Sequence, residues 1–220
     1  MGRWGRAVWN ISSLLLALLA ARPAGAVESG PGARVSLGVA TGRIPADYRF
    51  TASSPGATTL VDLRTRERTT AMTLGTQLGL ALQFRPTIGI FPHLVAEYTV
   101  PHGFKRDITT GLGEYRLKGD QSVLTIGVGN EVRLVRGYLL LNLEVGASRM
   151  QRWFDVTGGG QHARATANSG EAWGRFSLGT RLLGLAKFDL GLSLFGEFFS
   201  LGGGSRAGVQ LFGNFDGGHS

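Results

Sequence analysis

The sequence predicts an all-β fold: an eight-stranded antiparallel up-and-down transmembrane β-barrel with short periplasmic turns and longer extracellular hairpin loops. Three observations predict it. Segments of alternating polarity recur along the chain, their polar faces are small rather than charged, and the links between them alternate short and long. Residues 72–84 display the first two. Met72, Leu74, Thr76, Leu78, Leu80, Leu82 and Phe84 fall on one face, and Thr73, Gly75, Gln77, Gly79, Ala81 and Gln83 on the other. Period-two alternation marks a strand with two unlike faces. Bulk water favours Lys and Glu on such a face, whereas the lumen of a small barrel favours Gly, Thr, Ala and Gln.

Before the strands comes an export signal. Arg3 and Arg6 precede the apolar run 11–21, and Ala24-Gly25-Ala26 follows it. A positive n-region, a short apolar h-region and an A-x-A site read as a cleaved signal peptide over 1–26. The run is too short to span a membrane as a helix, which takes about 20 residues. The barrel domain is then 27–220. Removing Arg3, Arg6 and Arg22 lowers the net charge from +8 to +5, and there is no Cys anywhere. Disulfides and thiolate metal sites are thereby excluded. A basic exported strand protein points to an acidic lipid surface rather than to nucleic acid.

Eight segments carry the alternation: 33–42, 70–84, 87–100, 121–135, 138–148, 171–183, 187–199 and 206–215. Each meets the length of about 9–11 residues that a tilted spanning strand requires. Tight turns are expected at Arg85-Pro86, Arg136-Gly137 and around Gly184. Long links run over 43–69, 101–120 and 149–170, with a shorter one at 200–205. Ser53-Ser54-Pro55-Gly56, Thr110-Gly111-Leu112-Gly113 and Gly158-Gly159-Gly160 lie near the middle of the long links, so these read as continued hairpins. Pro92 removes a ladder donor inside the third strand while parity survives across it, so a local bulge is expected there. Phe84, Phe188 and Phe215 end up at one membrane rim, and Tyr98, Phe176 and Phe198 at the other, as two aromatic girdles.

Parity sends ten charges into the lumen: Arg34, Glu97, Glu131, Arg133, Glu144, Arg175, Arg181, Asp189, Glu197 and Arg206. Five acids against five bases make it neutral. Hairpin registers centred on the turns place Arg181 opposite Asp189, Glu197 opposite Arg206 and Glu144 opposite Arg175. A filled, closed lumen is the expected consequence, with a gated ion path as the alternative.

For catalysis, His93 is inward with Thr125 on the neighbouring strand, and loop residues His102 and His162 have Ser53 or Ser169 within possible reach. No nucleophile, base and acid converge. No enzyme activity, metal or cofactor is expected. The long links instead hold twelve basic residues against seven acidic ones, and Arg64, Arg66, Arg68, Lys105 and Arg106 form the densest groups. Arginine in this setting suits lipid phosphates.

Together these features resemble the small eight-stranded outer-membrane barrels of the OmpX, OmpA transmembrane-domain and OmpW type. The resemblance covers 33–215 and rests on architecture, including a last segment, 207–215, that ends on Phe215. It implies insertion by the barrel assembly machinery, although Asp216–Ser220 follow the terminal aromatic. It also implies a monomer in the outer membrane of a Gram-negative-type bacterium, contacting lipopolysaccharide. The function expected is structural or surface-interacting, with lipopolysaccharide, a surface or a protein bound through the basic loops. A narrow channel for ions or small apolar solutes is one alternative, and a lipid A-modifying enzyme a second. The lipid A deacylase barrels place His and Ser close together on one strand, a pair that this sequence lacks.

Overall fold

A computed structural model describes residues 28–85, 87–135, 138–185, 188–200 and 203–216. The expected signal peptide therefore lies outside the described residues. Eight strands form a closed barrel in which each pairs antiparallel with its sequence neighbours and β8 closes on β1. They are β1 (Glu28–Ser54), β2 (Ala57–Arg85), β3 (Ile88–Thr110), β4 (Gly113–Leu134), β5 (Leu139–Gly158), β6 (Gln161–Leu185), β7 (Phe188–Phe199) and β8 (Ser205–Asp216). The long links are continued hairpins, with tips at Pro55-Gly56, Gly111-Leu112 and Gly159-Gly160. Gly56, Gly159 and Gly160 have φ of +84°, +58° and +76°, where a side chain would be strained.

The barrel therefore has two storeys. In the lower one all eight strands carry apolar side chains outward, among them Val35, Leu37, Leu74, Leu78, Leu94, Ile126, Val145 and Leu194, each at least 44% exposed. This band is lipid-facing. Above it β7 and β8 stop, and β1 to β6 continue with their polarity inverted. Along β5 the inward residues run Asn142, Glu144, Gly146, Ser148, then Met150, Arg152, Phe154 and Val156. Its outward residues change from Leu143 and Val145 to Arg149, Gln151 and Asp155. Parity is unbroken, and only the solvent on each side has changed.

Four interior layers follow. Polar and charged side chains fill the lower lumen. Ile44, Val95, Val123, Met150, Trp173 and Phe199 then make an apolar cluster. Above it lie Gln121, Arg152 and Glu171, the next inward residues on β4, β5 and β6. Capping everything is an apolar core of Tyr48, Phe50, Ile108, Tyr115, Leu117, Phe154 and Val156 with small neighbours. At its tip the Gln161 amide accepts from the Ser53 backbone N–H at 2.8 Å and donates to Thr51 O at 2.7 Å. One side chain thus stands in for a strand pairing where β1 has outrun β8.

The expected bulge at Pro92 is not there. Register against β4 is constant from Ile88 to Thr99, with Pro92 opposite Asn130. Against β2, His93–Gly79 and Ile90–Leu82 keep one register, and the two rungs between them are missing. Proline's missing donor interrupts the ladder there without adding a residue. The irregularity lies instead between Thr99 and His102, at Pro101. It switches parity, so that His102, Phe104, Arg106 and Ile108 turn inward above it.

Candidate functional site

The lumen charges gather into three groups. Near the short turns, Arg34 pairs with Glu131 at 2.6 Å and donates to Asn214 Oδ1 at 2.5 Å, while Arg133 Nε reaches Glu131 at 3.1 Å. Phe212 lies under the Arg34 guanidinium, and Phe91 under that of Arg133. Mid-lumen, Arg175 pairs closely with both Glu97 and Glu197 and lies 3.5 Å from Glu144. Arg206 joins Glu197 at 2.5 Å and Glu97 at 3.6 Å. Glu144 also accepts from Gln77, Asn142 and His93. A Cβ at Gly129 would stand 2.6 Å from His93 Nε2 and 2.7 Å from Glu144 Cγ, so this glycine makes the space for that pair.

Arg181 and Asp189 form the third group, at the mouth. The ladder sets Arg181 opposite Gly191 and Asp189 opposite Gly184, because the hairpin is centred beyond Gly184, with Leu185 opposite Phe188, and the bulge between Arg181 and Leu183 takes back only one residue of the offset. The side chains still meet, at 3.5 Å and about one-quarter exposed. The other two expected registers hold: Glu197 faces Arg206 and Glu144 faces Arg175. A partly wet, long ion pair is worth at most about 1 kcal/mol. Arg181→Ala should thus lower the unfolding temperature only slightly, and less in an Asp189→Ala background. Simple addition of the two losses in thermal melts would mean that the pair contributes nothing.

Among the described residues the histidines do not assemble a catalytic set. His93 faces Glu144, while Thr125 bonds Ser148 at 3.0 Å. His102 is a half-buried side chain above the lipid-facing band. Its Nδ1 bonds Val100 O, and its Nε2 meets Thr69 Oγ1 at 2.5 Å and Gln121 Nε2 at 2.9 Å. The Gln121 carbonyl is taken by Arg152 Nε, which leaves its NH₂ pointing at the ring. Nε2 is therefore an acceptor, and the imidazole is neutral.

Burial, with the Arg206 and Arg152 charges, lowers the His102 pKa from its ordinary 6.5, against the pull of Val100 O and Asp120. A depressed histidine pKa means that the unfolded chain takes up its proton first as pH falls. The stability His102 contributes is full above about 6.5 and is lost as pH drops through the interval down to its folded value. Chemical unfolding at pH 8 and pH 5 should show this slope, and His102→Gln should flatten it. A slope unchanged in the variant would assign the effect to other groups.

The basic residues of the hairpins have unequal surroundings. Arg64 bridges Asp47 at 3.1 Å and Glu171 at 3.0 Å, tying β2 over β1 to β6. Arg106 turns inward to Glu67 because of the Pro101 bulge. The Arg66 guanidinium lies against Gly203, where a Cβ would have to displace it. Arg68 and Lys105 point outward and make no ion pair among the described residues. Three features escaped parity reasoning. Arg152 is a buried cation rather than a solvated loop base, Glu171 is an inward acid, and Arg43 and Arg149 share the outward setting of Arg68. The Arg152 Nη2 donates to Pro45 O, whereas Nη1 has no hydrogen-bond partner.

On β1, β2 and β5 the outward residue four positions beyond the last large apolar one of the lipid-facing band (Val39, Met72, Val145) is an arginine: Arg43, Arg68 and Arg149. Arg43 and Arg68 are direct cross-strand partners. Of the rim aromatics, Phe188 and Phe215 touch at a centroid distance of 5.0 Å, and Phe84 is half-buried beside the short turns. Tyr98, Phe176 and Phe198 are 39%, 51% and 62% exposed on the outer face.

No protein-family model and no curated protein sequence matches the chain. Solved structures similar to it include Ail, the attachment invasion locus protein of Yersinia pestis, in complex with the heparin analogue sucrose octasulfate. That match has 15% identity, covers 85% of this chain and 98% of that one, and has a TM-score of 0.39. OprG, an outer membrane protein from Pseudomonas aeruginosa, is similar at 10% identity over 88% and 98% of the two chains, with a TM-score of 0.47. The outer membrane protease OmpT from Escherichia coli is similar at 6% identity over 85% and 96%, with a TM-score of 0.43. Likenesses at this level assign no activity.

Proposed function

We propose that this chain is an exported outer-membrane barrel, cleaved after Ala26, whose closed interior neither conducts nor catalyses and whose outer rim binds lipopolysaccharide. One observation carries the lipid reading. Arg43, Arg68 and Arg149 stand outward at the edge of the lipid-facing band with no ion pair among the described residues, and two of them face each other directly. Like charges directly opposite on a sheet are destabilising. A phosphate between them reverses the sign of that interaction and accepts their forked N–H groups. Lys105, opposite Lys118 higher on the wall, extends the same basic surface outward.

The closed interior rests on packing. Arg175, Glu97, Glu144, Glu197 and Arg206 are each at most 3% exposed and bonded to one another across the lumen, under two apolar layers. An ion entering would have to displace several paired charges at once. The Thr69–His102 pair has a backbone carbonyl, Val100 O, at Nδ1, where a hydrolase would place an orienting acid.

Purified protein in lipopolysaccharide-free detergent should gain thermal stability when lipid A is added. A ligand at 100 times its Kd adds about 2.7 kcal/mol. The combined Arg43→Gln, Arg68→Gln, Arg149→Gln variant should lose most of that gain, since each base near an anionic surface is worth about 1 kcal/mol. An equal gain in the variant would remove the phosphate reading. In planar bilayers the wild type should give no unitary current steps, and reproducible openings after stringent purification would overturn the closed lumen.

A further inference from the structure

The two tryptophans in the described residues sit in opposite environments. Trp173 is buried in the apolar cluster at 3% exposure, whereas Trp153 projects outward from β5 at 44%. Neither lipid nor core explains Trp153. It lies four residues beyond Arg149, about 13 Å further along the strand and above the lipid-facing band. The inward side of β5 is occupied at that point by Arg152 and Phe154. The indole is thus a flat apolar plate on an otherwise polar wall.

Its neighbours on the outer face are all polar. The direct cross-strand partners of Trp153 are Asp120 on β4 and Thr166 on β6. Gln151 precedes it by two on the same face, and Asn168 is the diagonal neighbour on β6. Cross-strand side chains start about 5 Å apart and diagonal ones about 7–8 Å. A carboxylate, a hydroxyl and two amides therefore lie beside and below the ring at the distance of one pyranose, and Lys118 with the Asp155–Arg164 ion pair lies above it. Sugar rings offer a face of C–H bonds, weakly positive, that suits the negative face of an indole. Around the edge their hydroxyls need donors and acceptors, which carboxylates and planar amides supply in pairs.

We infer that the Trp153 surface binds a saccharide, and that the saccharide is the core oligosaccharide of the lipopolysaccharide surrounding the barrel. The source follows from position. This inference rests on the phosphate reading above: once Arg149 holds a lipid phosphate at the membrane edge, the sugars linked to that lipid rise along β5 past Gln151 to Trp153. Arginine below and aromatic above then hold one amphiphile at two points, the second benefiting from the high local concentration set by the first.

The experiment uses the mature barrel in lipopolysaccharide-free detergent with two separate probes. One is lipid A, which has the phosphates but no core. The other is dephosphorylated core oligosaccharide, which has neither phosphate nor acyl chain. Trp153→Ala should weaken oligosaccharide binding by about tenfold or more and leave lipid A binding within about twofold, while Trp153→Phe retains intermediate affinity. Arg149→Gln should do the reverse. Wild-type indole emission should shift to the blue with oligosaccharide. Failure of lipid A to bind, with oligosaccharide binding still lost in Trp153→Ala, would remove the phosphate belt and leave the sugar site standing. Absence of oligosaccharide binding, or equal binding by wild type and Trp153→Ala, overturns the inference. So does self-association that is lost in Trp153→Ala while sugar binding is unchanged, which would assign the plate to a second copy of the chain.

Discussion

Arg175→Met should be the most damaging single change in the lower storey, lowering the unfolding free energy by about 3–5 kcal/mol, the usual cost of leaving buried charge without its partner. Arg175 is bonded to Glu97 and Glu197 and lies near Glu144, and all four are at most 2% exposed. Its guanidinium also lies over the Phe195 ring at 4.6 Å and the Trp173 ring at 5.2 Å. Methionine restores some of the apolar contact but none of the charge. The three carboxylates are not left equally exposed to the loss. Glu197 keeps Arg206 at 2.5 Å, and Glu144 keeps Gln77, Asn142 and His93. Among the described residues Glu97 keeps only Arg206, at 3.6 Å. Adding Glu97→Gln to Arg175→Met should therefore recover part of the stability, although Glu97→Gln alone destabilises. Urea unfolding of the four proteins in one detergent decides it. If the double variant shows the sum of the two losses, Glu97 and Arg175 do not act as a unit.

What made this fold legible was the pairing of alternation with a change of solvent. In 72–84 the outward Leu and inward Gly, Thr and Gln define a strand and both its surroundings, so the barrel and its strand order follow from local signals. The lumen network was legible for the same reason, since parity alone turned Arg34, Glu97, Glu144 and Arg175 inward. The upper storey was harder because its pattern is the same alternation with the meaning reversed. Arg152 belongs to a basic-looking link, yet it falls on the inward parity of β5 together with Phe154 and Val156. Counting the link residues as solvated placed it outside. Pro101 was a second obstacle. A one-residue bulge flips every later side chain, and it carried Arg106 from the expected phosphate surface to Glu67 inside. Proline marks where a ladder bond is absent, but only the partner strand shows whether a residue has been added. The Arg181–Asp189 pair illustrates the milder case, in which register slipped and long side chains still found each other.

Phe154→Ala tests whether the upper storey is a unit of its own. Phe154 is 3% exposed, meets Tyr48 edge-on at a centroid distance of 5.6 Å and Phe104 at 6.1 Å, and sits within the upper apolar core. Truncating a core phenylalanine costs about 3–5 kcal/mol through lost transfer energy and a residual cavity. That loss matches Arg175→Met in size but falls in a different place. The six upper strands have lost their β7 and β8 neighbours, so β1 and β6 are joined there by side chains such as Gln161 and Arg64 rather than by a ladder. The lower strands keep a complete ring of pairings and a surrounding lipid band that the mutation does not touch. Phe154→Ala should accordingly open the hairpins while the ring stays closed. Trypsin should cut near exposed Arg49, Arg116 and Arg164 in the variant at conditions where the wild type resists. The fragments should remain associated as a folded barrel that runs at its compact position on an unheated gel. Arg175→Met should show the opposite pattern, with a lower barrel melting temperature and no early cleavage at those sites. If Phe154→Ala lowers barrel melting as much as Arg175→Met does, the two storeys unfold together. The apolar cap would then be part of one cooperative structure, because continuous strands transmit the loss through the Met150 and Trp173 layer to the lumen below.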